Sequence, residues 1–88
     1  MANLLAWQEQ LLSIVLKLLR ERGPTTHFDL ENHYYLVAGY PTSGTEYLWL
    51  TFNLGWALGY LHAKGQIAVV EEEPGSRKWF VALPANSS

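Results

Sequence analysis

Apolar residues recur at Trp7, Leu11, Ile14, Val15, Leu18 and Leu19, three or four apart, the spacing that lines one side of an α-helix. Glu9, Ser13, Lys17 and Arg20 form the opposite stripe, which predicts a first helix from about Leu4 to Arg22. Leu5, Leu12 and Leu16 widen the apolar side beyond what a small core requires, and with Leu4 they make a candidate interface with a second chain. Gly23-Pro24 then stops the helix, because glycine takes the left-handed cap and proline cannot continue the hydrogen-bond ladder.

Thr26 and Asp29 have capping-box spacing and open a second helix from Phe28 to about Ala38, ended by Gly39-Tyr40-Pro41. Ser43-Gly44-Thr45-Glu46 repeats the device: the Ser43 hydroxyl can accept from the Glu46 amide while the Glu46 carboxylate reaches back. A third helix follows to Lys64, with Gly65 as its stop. After Gly65 the pattern turns strand-like in Ile67-Ala68-Val69-Val70 and Trp79-Phe80-Val81-Ala82-Leu83. Between them, Glu73-Pro74-Gly75-Ser76 suits a tight turn, with glycine where a positive φ is needed. A hairpin centred on Pro74-Gly75 sets Glu71 opposite Lys78 and Glu72 opposite Arg77, pairs of opposite charge that favour this register.

The expected fold class is α+β, mainly α: a winged helix of three helices followed by a two-stranded β-hairpin wing, with a short extended link after the first helix. Residues 1–84 form one domain and residues 85–88 a frayed tail, since 88 residues suffice for a single core. Nearly half the residues are apolar (49 %) and 16 % are charged, which separates the chain from disordered sequences.

The absence of cysteine removes disulfides and thiolate metal sites. His27, His33 and His62 lack metal-ligand spacing, and Asp29 has no catalytic companion, so neither a cofactor nor an enzymatic activity is expected. The first residues lack a basic segment, and Gln8, Glu9 and Gln10 interrupt them early; the expectation is a cytoplasmic protein. The uncharged run between Glu46 and Lys64 falls short of a bilayer span, so no membrane association is expected.

On a wheel of about 100° per residue the third helix divides into faces. Leu50, Leu54, Ala57, Leu58 and Leu61 form the expected core face. Thr51, Gly55, Gly59, His62 and Ala63 make a small-residue flank that allows close approach by another backbone, either the first or second helix or a partner. Glu46, Trp49, Asn53, Trp56, Tyr60 and Lys64 form the side that meets a partner in a helix-turn-helix.

The stretch Gly55-Trp56-Ala57-Leu58-Gly59-Tyr60-Leu61-His62-Ala63-Lys64-Gly65-Gln66-Ile67, followed by Trp79, resembles the winged-helix domain at the N-terminus of Mrr-type restriction proteins. There a Trp-Ala pair, a Lys-Gly-hydrophobic helix exit and a wing tryptophan recur. The likeness spans roughly residues 11–83 in layout and implies a DNA-reading role.

Two functions follow as expectations. In the first, the chain is a small dimeric regulator that binds double-stranded DNA through Trp49, Asn53, Tyr60, Lys64, Arg77 and Lys78, with the Asn53 amide reading adenine and the cations holding phosphate. In the second it is a protein-binding inhibitor or adaptor of the kind carried by phages and mobile elements. Trp49, Tyr60 and the acidic wing would then meet a partner protein, and homodimerisation would use Leu4, Leu5, Leu12, Leu16 and Trp49. Net charge is −2, with the segment 45–65 neutral and the segment 66–88 at −1, which favours the second. Trp56 is expected to pack beneath the wing against Trp79.

Overall fold

A computed structural model describes residues 3–84, so the expected tail at 85–88 lies outside the described residues. The element order is α1 (Ala6–Arg22), β1 (Thr25–Thr26), α2 (His27–Ala38), α3 (Gly44–Ala63), β2 (Ile67–Glu71) and β3 (Lys78–Ala82), an α+β and mainly helical architecture. The strands form one antiparallel sheet in the order β1-β3-β2.

The helix ends follow the local chemistry. At α1 the Gln8 Oε1 accepts from the Leu5 amide at 2.8 Å, so the helix opens at Ala6 instead of Leu4. At α2 the Thr26 hydroxyl accepts from the Asp29 amide. At α3 the Ser43 hydroxyl accepts from the Glu46 amide at 3.2 Å, as expected, but the Glu46 carboxylate passes the cap residue and accepts from the Thr42 amide and hydroxyl instead. Gly65, at φ 72°, closes α3 in a Schellman arrangement, its amide donating to the His62 carbonyl and the Gln66 amide to the Leu61 carbonyl.

The sheet has one strand more than the expected hairpin. After Gly23-Pro24 the chain runs extended, and Thr25 and Thr26 pair with Phe80 and Trp79 along the far edge of β3. Both threonines are buried, and their β-branched side chains suit an extended backbone. The hairpin register is the expected one, with Glu71 opposite Lys78. The Glu71 carboxylate is nevertheless spent locally, accepting from the Gly75 amide at 2.7 Å. Among the described residues neither Arg77 nor Lys78 makes an ion pair with a carboxylate, although Glu71 stands opposite Lys78 in the register.

Among the described residues thirteen side chains make the apolar core, including Leu11, Val15 and Leu19 of α1, Leu30 of α2, all five expected residues of α3, and Ile67 of β2. Leu12, placed by its sequence position in an interface, is 8 % exposed and belongs to this core; Leu4 and Leu16 are half-buried against it. Of the four leucines of that set only Leu5, the N-cap residue of α1, is exposed, because α2 and α3 cover more of α1 than its periodicity indicates. Trp7, which its spacing sets on the apolar side of α1, is exposed beside the N-terminal half of α3.

Burial raises the Tyr34 and Tyr35 phenols above their ordinary value of about 10, and the charges of Glu31 and Tyr47 add to the rise at Tyr35. A group whose folded value is raised contributes stability that is complete below its unfolded value and is lost as pH rises through the folded one. The Tyr34→Phe/Tyr35→Phe variant should therefore lose less stability than the wild type above about pH 10. Urea midpoints at neutral and alkaline pH measure this; equal alkaline losses in the two proteins would contradict it.

Candidate functional site

Helix α3 is the longest element and sorts its side chains three ways. Leu50, Leu54, Ala57, Leu58 and Leu61 point into the core. A second side turns to the N-terminal end of α1, where Trp7 lies 5.4 Å from Trp49 and 6.1 Å from Trp56, ring centre to ring centre, and Trp56 lies 5.6 Å from Tyr60. The Lys64 ammonium sits 5.5 Å from the Tyr60 ring centre, a cation–π contact that extends the cluster. Asn53 is half-buried here, its amide donating to the Trp49 carbonyl one turn back at 2.8 Å.

That aromatic side is the one whose spacing suggested contact with a partner. It is instead partly closed by Trp7, and Trp49, at 43 % exposure, is its most open aromatic. Trp56 packs with Trp7 and Tyr60, not with Trp79. Trp79 pairs with Val70 and lines a cleft with Pro24, Val70, Glu72 and Val81 on the outer face of the sheet, because alternation along β3 sends Phe80 and Ala82 to the core instead.

The third side faces solvent. Leu48, Phe52, Gly55 and Gly59 lie within about 60° of one another around the helix axis. Phe52 is 73 % exposed and Leu48 53 %. The expectation that Gly55 and Gly59 admit α1 or α2 closely is not met: a Cβ at either position would touch nothing. Between Glu46 and Lys64 the helix carries no Asp, Glu, Lys or Arg, and His62 is the sole titratable side chain on the open flank. Large exposed apolar groups in a contiguous stripe mark association surfaces on small proteins.

Leu48 and Phe52 were not singled out by the sequence, although their signal was present: positions 48, 52, 55 and 59 share the spacing of a single helical face. The stripe escaped because α3 is apolar nearly all round.

The expected nucleic-acid residues do not come together on one surface. Trp49, Asn53, Tyr60 and Lys64 flank the α1 side of α3, whereas Arg77 and Lys78 line a separate cavity of about 430 Å³ with Thr26, His27, Phe28, Asp29, Ser76 and Phe80. A half-buried polar contact ties α3 to α2. The Thr51 hydroxyl lies 3.0 Å from Glu31 Oε1, and His27 Nδ1 lies 3.8 Å from the same oxygen.

Among the described residues no group of three His, Asp or Glu is placed to hold a metal ion, and no helix is long and apolar enough to cross a membrane. Comparison with known protein families, curated proteins and solved structures finds no match to this chain.

Proposed function

We propose that the chain is a non-enzymatic winged-helix domain that works by docking on protein through the solvent side of α3. The order α1-β1-α2-α3-β2-β3 and the sheet order β1-β3-β2 support the fold assignment: a helix-turn-helix pair followed by a wing. The observation that carries the functional reading is the chemistry of the helix side such a fold presents to its target. There stand Leu48, Phe52, Gly55 and Gly59, with no cation to neutralise phosphate and no free amide to read a base edge. Exposed aromatic and aliphatic groups without charge are the makings of a protein-binding hot spot.

A second reading, the dimeric DNA-binding regulator, is favoured by the unpaired Arg77 and Lys78 beside the N-terminal end of α2. Titration against mixed-sequence duplex DNA over a salt series separates the two. Protein docking predicts weak, non-selective DNA binding with a log–log salt slope near −2, for about two phosphate contacts. That residual binding should vanish in Arg77→Ala/Lys78→Ala and be unchanged in Asn53→Ala and Phe52→Glu. Tight, sequence-selective binding lost in Asn53→Ala would overturn the protein-docking reading in favour of the regulator.

A further inference from the structure

We propose that the occupant of the open side of α3 is the same side of α3 from a second copy of this chain, the two helices crossing antiparallel about a two-fold axis. The proposal rests on the protein-docking reading and names its partner. A two-fold interface must be self-complementary: each projection has to meet a hollow at the symmetry-related position. Along the exposed stripe the order is Leu48, Phe52, Gly55, Gly59, two bulky side chains in the N-terminal half and two bare positions in the C-terminal half.

Reversing the helix about a point between Phe52 and Gly55 lays Phe52 over Gly55 of the second copy and Leu48 over its Gly59. Parallel pairing would instead set Phe52 against Phe52 and glycine against glycine, with a clash at one end and a void at the other. The hollows are open to a visitor, since apart from the adjacent backbone of α3 itself nothing lies within 4 Å of a Cβ built at Gly55 or Gly59.

The helix dipoles favour the same direction, because an antiparallel crossing opposes them whereas a parallel one aligns them. Glu46 and Lys64, at the two ends of α3, stand on the side that carries Trp49 and Tyr60, off the stripe. No charged side chain lies between, so no like charges meet along the contact. By contrast, the expected α1 interface retains a single exposed leucine, Leu5, because Leu12 is in the core and Leu4 and Leu16 are half-buried.

Sedimentation equilibrium from low to high micromolar protein reads the association directly. The wild type should dimerise, and Phe52→Glu, at an exposed position, should weaken the dimer by at least about 30-fold while keeping the wild-type circular dichroism spectrum. Gly59→Leu should weaken it too, although replacing an exposed helical glycine ordinarily strengthens a helix. The absence of native cysteine allows a test of direction. Under mild oxidation a mixture of Leu48→Cys and Gly59→Cys chains should form mainly the mixed disulfide dimer.

A wild type that stays monomeric at high micromolar concentration overturns the self-pairing but leaves the protein-docking reading to its DNA titration. A dimer that persists in both Phe52→Glu and Gly59→Leu overturns the self-pairing as well, and preferential Leu48→Cys self-linkage overturns its antiparallel sense.

Discussion

Leu54→Ala should unfold roughly 15–25 °C below the wild type, the largest loss expected from a single truncation in α3. Leu54 has no exposed surface and sits in the cluster where leucines of α1, α2 and α3 meet Ile67 of β2. Truncating a buried leucine typically costs about 3–4 kcal/mol, transfer free energy plus the residual cavity. In a domain of this size each kcal/mol moves the midpoint by about 4–8 °C. Small domains have about 5–15 kcal/mol in total, so much of the stability rests on this one side chain. Thermal melts followed by far-UV circular dichroism give the answer. A shift under about 5 °C would mean that α3 does not pack as described.

The second large effect is expected at a polar position. Thr51→Val preserves shape but removes the hydroxyl that lies 3.0 Å from the buried Glu31 carboxylate. A hydrogen bond to a charged group is worth about 1.5–3 kcal/mol, and a buried acceptor that loses its donor bears the desolvation penalty as well. The Thr51 proton is shared with the Tyr47 carbonyl at 3.1 Å, which places the expected loss at the lower end, about 1.5 kcal/mol. Placing Thr51→Val in a Glu31→Gln background should roughly halve the loss, because a neutral amide needs the donor less than a carboxylate does. Urea denaturation of the four proteins in this cycle measures the coupling; additive losses would show that the contact between α2 and α3 carries no energy of its own.

The elements legible in the sequence are those whose signals are local. The Thr26 and Ser43 caps, the Gly65 exit and the Pro74-Gly75 turn each reside in a few adjacent residues, and each stands where its chemistry placed it. The core side of α3 was legible because five apolar residues repeat at helical spacing and a small domain has only one core to bury them in. Strand β1 was not legible. Two threonines carry no alternation, and their partners Phe80 and Trp79 lie more than fifty residues along the chain.

The choice between the two remaining sides of α3 was hidden for a similar reason. Trp49, Trp56 and Tyr60 are as apolar as Leu48 and Phe52, so hydropathy does not separate them. What separates them is Trp7, more than forty residues earlier, which lies against the first set and leaves the second open. Leu12 illustrates the converse case. It was assigned to an interface because its face of α1 looked surplus to one core, yet the surrounding helices cover it.

The sheet order leaves β2 with one edge unpaired, a row of amides and carbonyls beside the exposed Val69 and Val70. Such an edge invites another strand, and stacking of strands is the first step toward fibrous aggregates. Glu71, Glu72 and Glu73 stand at its far end, so two chains stacking edge to edge in parallel bring six carboxylates into one neighbourhood. The acidic run thus acts as a gatekeeper against misassembly, strongest in dilute buffer and blunted wherever concentrated salt shortens the reach of its repulsion.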